Sequence, residues 1–142
     1  MDRVFLDANV LFSAAYRSGS PLMGLWELAE AEILSCELAF EEARRNLAAR
    51  APDRLSALDD LRPATQVVGA AAGPPHLPAD VDLPENDQQI LAAAIAAGCT
   101  HLLTGDRRHF GALYGRPIGG VLVLRPGEYL RGRRTASLSC PR

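Results

Sequence analysis

Four acidic residues are spaced so that a folded chain can bring them to one edge. Asp7 closes the apolar run Val4-Phe5-Leu6, and Asp106 follows His101-Leu102-Leu103-Thr104 by two positions. Asp87 precedes Ile90 and Leu91 by three and four positions, which puts it on their side of a helix. It also falls in the first turn, where a carboxylate meets the positive end of the helix dipole. Glu42 lies at the border of the stripe Ala39, Ala43, Leu47, with Asn46 at i+4. Its neighbour Glu41 faces further out beside Glu37 and Arg45, and spacing alone does not decide between the two. Taken singly, each acid reads equally well as a turn former, a helix cap, a dipole partner or a solvated side chain. Their joint placement carries the argument. Like charges gathered together raise one another's pKa and cost stability unless something compensates. A divalent cation does so, and a ligand set of carboxylates suits Mg²⁺ or Mn²⁺ rather than zinc. Such an ion recruits phosphate oxygens and activates water for in-line attack.

The elements that must position these acids follow from the apolar pattern. Val4–Leu6, His101–Thr104 and Val121–Leu124 read as strands, with Ile33-Leu34 and Gln66–Val68 as weaker ones. Helical periodicity lies between them. Ser20-Pro21 is a helix start, Ser35 is placed to cap the helix carrying Glu42, and Pro52 opens a short helix through Leu61. The clearest helix runs from about Glu85 to Ala97, stopped by Gly98. Short apolar strands alternating with helices predict a three-layer α/β/α sandwich around a small parallel sheet. A ligand site in such a sheet lies outside the carboxyl ends of the strands, where Asp7 and Asp106 both fall. Residues 69–84 hold too many prolines for a continuous element, and Asp80 and Asp82 there, with the adjoining Glu85, make the mouth of the site negative. One domain is expected over residues 1–130, followed by a basic, mobile tail over 131–142.

The 142 residues leave room for one domain, and a composition 48% hydrophobic and 23% charged excludes global disorder. A net charge of −2 makes no demand for a polyanionic partner, although all 15 basic residues are arginine. Cys36, Cys99 and Cys140 have no short spacing that would mark a disulfide framework or a zinc cage. No positively charged leader and no apolar run approaching about 18 residues is present, so a cytoplasmic protein is expected.

With these features in place, the sequence resembles the PIN-domain ribonucleases, in particular the toxin-like (VapC-like) members of bacterial toxin–antitoxin pairs. Val4-Phe5-Leu6-Asp7-Ala8-Asn9-Val10-Leu11 is similar to that family's first strand and aspartate. Glu42-Ala43-Arg44-Arg45-Asn46-Leu47 resembles the helix bearing its second acid, and Asp87-Gln88-Gln89-Ile90-Leu91 its third. Thr104-Gly105-Asp106-Arg107-Arg108-His109-Phe110 resembles the strand end that carries the fourth. The blocks occur in the family's order and cover roughly residues 3 to 130.

The resemblance implies a metal-dependent endoribonuclease in which Asp7, Glu42, Asp87 and Asp106 hold Mg²⁺ or Mn²⁺. Asn9, Thr104 and Ser13 would support ligands or water. Hydrolysis would leave a 5′-phosphate and a 3′-hydroxyl. Because the acids repel phosphate, RNA needs positive charge nearby, and Arg107, Arg108, Arg44 and Arg45 are the candidates, with Arg17 as a further one. No catalytic role is assigned to His76, His101 or His109. The expected partners are the RNA substrate, an antitoxin protein and a second copy of the chain. Leu22, Leu25 and Trp26 are a candidate interface, although filling the core is the commoner role of such residues. The competing reading is a non-catalytic scaffold of the same fold that binds RNA or protein. A phosphoacceptor receiver-like domain is disfavoured because the sequence contains no lysine.

Overall fold

Strand β1 (Asp2–Leu6) forms where a continuous apolar run leaves no polar face, as expected of a strand covered on both sides, and Val4, Phe5 and Leu6 are fully buried. The structure is a computed structural model and describes residues 1–71 and 76–139. β2 (Ala31–Cys36) and β4 (His101–Leu103) flank β1 in parallel. β3 (Gln66–Val68) extends the sheet beyond β2, and β6 (Val121–Leu124) beyond β4, also in parallel. A two-residue strand, β5 (Pro117–Ile118), closes the edge antiparallel to β6. The order is therefore β3-β2-β1-β4-β6-β5. The chain first winds outward from β1 to β3, then returns to the other side of β1. Right-handed crossovers in opposite directions place their helices on opposite faces of the sheet, which gives three layers.

Helix α1 (Ala8–Tyr16) starts directly after β1, with Asp7 as its N-cap. It packs on α2 (Glu37–Arg50) and α3 (Leu55–Leu61), burying Val10, Leu11, Ala14 and Ala15. Helix α4 (Glu85–Ala96) rests on β2 and β4 through Ile90, Leu91 and Ala94. Gly98, at φ +67°, ends it as the sequence predicts. A four-residue helix, α5 (Arg107–Phe110), follows β4, and α6 (Pro126–Ser139) follows β6.

Several expectations are corrected. Ser35 does not cap α2. Pairing with β3 carries β2 on through Cys36, and the Ser35 hydroxyl donates instead to the Leu6 carbonyl oxygen at 2.7 Å. Ser20-Pro21 opens a 3-10 helix (Pro21–Glu27) rather than an α-helix. Leu25 is fully buried, Leu22 and Trp26 pack on the core, and the Trp26 indole donates to Thr65 Oγ1 at 3.0 Å, so that surface is occupied within the chain. Helix α6 continues through Ser139 into the segment expected as a basic tail, and Arg133 in it pairs with Asp2 at 2.8 Å and lies 5.4 Å from the Tyr129 ring centroid. Cys140 and Arg142 lie outside the described residues. Cys36 and Cys99 are buried as small apolar residues, with burial pushing the Cys99 thiol up to about 11. Among the described residues no helix is long and apolar enough to cross a membrane.

Candidate active site

The strand order reverses at β1, so its carboxyl end and that of β4 border the crevice where open α/β sheets bind ligands. Register pairs Leu6 with Leu103, which sets Asp7 beside Thr104. Asp7 is 2% exposed, and every contact it makes fixes it in place. Oδ1 accepts the Ala8 amide at 2.7 Å. Oδ2 accepts the Thr104 hydroxyl at 2.8 Å and the Asn9 amide at 3.1 Å. Asn9 then uses its own Oδ1 to accept the Gly105 amide at 2.7 Å, clamping the β4 exit loop. A side chain on Gly105 would press on that oxygen, since its Cβ would lie 3.3 Å away. Burial raises the Asp7 pKa to about 6, with Asp87 and Glu42 adding to the rise and the Thr104 and Ala8 hydrogen bonds opposing it.

Asp106 caps α5, accepting the His109 amide at 3.2 Å. The same turn brings the His109 ring back, so Nδ1 lies 2.6 Å from Asp106 Oδ2 and 3.5 Å from Asp87 Oδ2. One ligand atom each from Asp87, Asp106 and His109 lies within 4.8 Å of the others. Burial raises the Asp87 pKa, His109 opposes it, and Asp106 and Glu42 reinforce it. At Asp106 burial also pushes upward, but hydrogen bonds from the His109 ring and backbone outweigh it and the net shift is downward.

These groups line one cavity of about 590 Å³ together with Asn9, Ser13, Glu42, Asn46 and Arg50. The structure thus gathers Asp7, Glu42, Asp87 and Asp106, with Asn9 and Ser13, and holds Thr104 directly beneath Asp7. Glu41 lies elsewhere, in a groove between α2 and α3. The predicted arginines are not in the cavity. Arg107 and Arg108 line a neighbouring cleft with Tyr114 and Arg125, Arg44 pairs with Asp59 at 2.5 Å, and Arg45 is exposed on α2. Sequence reasoning set His109 aside and overlooked Arg50. The signals were present: His109 is i+3 from Asp106, and Arg50 is two helical steps beyond Glu42 through Asn46.

The family model for the PIN domain matches residues 3–108. This chain belongs to the PIN domain family. No curated protein sequence matches the chain. Among solved structures, this PIN domain is similar to VapBC2 from Rickettsia felis bound to a DNA fragment from its promoter. That match has 15% identity and a TM-score of 0.64, covering 87% of this chain and 98% of that one. VapBC-1 from nontypeable Haemophilus influenzae matches at 10% identity and a TM-score of 0.50, covering 88% and 98%. At these identities the likeness shows the fold of the PIN domain.

Proposed function

We propose that this PIN domain is a divalent-cation-dependent endoribonuclease, the toxin component of a cytoplasmic toxin–antitoxin pair. The observation that carries the reading is the Asp7 carboxylate, whose pKa is raised to about 6 by burial first, with the nearby Asp87 and Glu42 adding to the rise. Among the described residues none of the four acids is ion-paired with an arginine; only His109 approaches Asp87 and Asp106. Four carboxylates with that little compensation fit a hard cation with oxygen ligands. Asp7, Glu42, Asp87 and Asp106 would hold Mg²⁺ or Mn²⁺. When bound, such an ion neutralises the acids, anchors phosphate oxygen and makes water a better nucleophile.

The remaining roles fall to the protein. Thr104 and Asn9 fix the rotamer of Asp7, so its outward oxygen edge is oriented before any ligand arrives. His109 Nδ1, set between Asp87 and Asp106, holds those carboxylates in register. Arg107, Arg108, Arg44 and Arg45 remain candidates for contacts to the RNA backbone, the first two from the cleft beside the cavity. The likeness to VapBC structures supports an antitoxin protein as a partner.

Cleavage of labelled single-stranded RNA in Mg²⁺, Mn²⁺ or EDTA, beside Asp7→Asn, tests this reading. Metal-dependent cutting that leaves 5′-phosphates and disappears in the variant is expected. Products ending in a 2′,3′-cyclic phosphate would contradict it, because they report attack by the ribose hydroxyl. RNA binding with neither metal binding nor cleavage would establish a scaffold instead.

A further inference from the structure

The basic side chain that α5 turns into the acid cavity is a histidine rather than an arginine. Arginine is plentiful in this chain, at 15 residues, and two of them, Arg107 and Arg108, belong to the same four-residue helix. Both line the neighbouring cleft instead. His109 is held in place by its own turn. Its amide donates to Asp106 Oδ1 at 3.2 Å, and the Phe110 amide donates to the Asp106 carbonyl oxygen at 2.9 Å. The Phe110 side chain, fully buried, anchors the turn to the core. Nδ1 of His109 then reaches two carboxylates, 2.6 Å from Asp106 Oδ2 and 3.5 Å from Asp87 Oδ2. Among the described residues the ring has no polar partner outside these two acids. A counter-charge alone would be served as well by arginine. Arginine, however, keeps its protons and offers no lone pair, whereas a neutral imidazole offers one.

We infer that His109 is itself a metal ligand: Asp87, Asp106 and His109 form a two-carboxylate, one-imidazole set whose nitrogen makes the cavity prefer Mn²⁺ to Mg²⁺. This rests on the divalent-cation reading above and names the ion. One donor atom from each of the three residues lies within 4.8 Å of the others, so a single ion can meet all three. The tautomer with its proton on Nε2 turns the Nδ1 lone pair toward the two carboxylates. That arrangement is repulsive unless a cation lies among the three. Mg²⁺ holds to oxygen and gives up its waters reluctantly, so an imidazole nitrogen adds little to its binding. First-row transition ions accept the nitrogen readily. With carboxylates in the majority, the set stays hard enough for Mn²⁺, whereas zinc sites draw more heavily on nitrogen and sulfur.

Pulsed electron paramagnetic resonance of Mn²⁺ bound to the full chain tests this, because a coordinated imidazole shows itself through its nitrogen coupling. Calorimetric titration of Mn²⁺ and of Mg²⁺ supplies the two affinities. Wild type is expected to show the coupling and to bind Mn²⁺ roughly tenfold more tightly than Mg²⁺, or better. His109→Gln, which offers an oxygen in place of the nitrogen, is expected to lose the coupling. The same variant should weaken Mn²⁺ by about tenfold and leave Mg²⁺ within about twofold of wild type. His76→Gln and His101→Gln are expected to keep the coupling. Bound Mn²⁺ without nitrogen coupling in wild type, a result that needs no variant to fold, would overturn the assignment and leave the cation-dependent nuclease reading standing. So would an equal fall in Mn²⁺ and Mg²⁺ affinity in His109→Gln, the outcome for a ring that only orders the carboxylates. Saturable binding of neither ion would remove both the ligand and the reading it rests on. Nitrogen coupling without RNA cleavage in Mn²⁺ would sustain the ligand and remove the nuclease.

Discussion

Helix α2 carries acids on two faces, and the two are compensated in opposite ways. Facing α3, Glu37 pairs with Arg62 and Arg44 with Asp59, while Glu41 shares the same groove. The side chains of both pairs are close to half exposed, between 45% and 59%, where ion pairs contribute little because water screens them and ordering long side chains costs entropy. Across the helix, Glu42 shares a cavity with Asp7, Asp87 and Asp106, and no arginine pairs with any of them among the described residues. On the α3 face Glu37 and Asp59 are exposed and each matched by an arginine. In the cavity Asp7 and Asp106 are held by hydrogen bonds, and the four acids together are left with excess negative charge. That contrast is the ground for proposing that the Glu42 face of α2 is the one arranged for a ligand.

The contrast breaks most severely at Asp7. Asp7→Asn is expected to abolish metal-dependent cleavage, exceeding the roughly 10–100-fold cost of losing a group that merely supports a ligand. The same change is expected to stabilise the metal-free protein at neutral pH. Asp7 has its pKa raised from 3.8 to about 6, so the folded state favours its protonated form. Its contribution is most favourable below 3.8 and is lost as pH rises through about 6, a cost of up to about 3 kcal/mol above that point. Thermal melts from pH 4 to 7 should show Asp7→Asn gaining on wild type as pH rises; parallel curves would contradict the shift. Added Mg²⁺ should raise the wild-type Tm at pH 7 and leave that of the variant unchanged.

A sharper form of the comparison sets Glu42→Gln against Glu41→Gln. Cleavage assays should show a loss of tenfold or more for the first and wild-type rates for the second, because only Glu42 lines the cavity. His109→Gln comes next, with metal affinity expected to fall by roughly tenfold as Asp87 and Asp106 lose the ring between them. Calorimetric Mn²⁺ titration measures it, and an unchanged Kd would remove His109 from the site. The smallest effect is expected on the matched face. Arg62→Ala, which ends the Glu37 pair and the contact over Phe40, should cost under about 1 kcal/mol in urea unfolding and leave cleavage intact.

What could be read from the sequence were features one element declares by itself. Asp7 and Asp106 follow apolar runs, and α4 announces its face through Ile90 and Leu91 and its end through Gly98. Features that depend on two elements meeting were hidden. Helix α1 was obscured because Val10-Leu11 continues the apolar character of β1 past a single Asp7. The choice of Glu42 over Glu41, and the place of Arg50 over Phe12, depend on how α2 packs against α1. His109 joins the acids only because Asp106 starts a one-turn helix that folds the ring back. The β5–β6 hairpin did leave a local trace. Gly119 and Gly120, at φ +57° and +84°, make the two-residue turn that L side chains resist.

The central claim is that the acid cavity is a divalent-cation site dependent on the buried carboxylate at the end of β1. Titration of Mn²⁺ into wild type and Asp7→Asn, with free ion followed by electron paramagnetic resonance, tests it most directly. The account requires saturable binding to wild type that Mg²⁺ displaces and Asp7→Asn abolishes. Binding of equal strength in both proteins, or in neither, would contradict it.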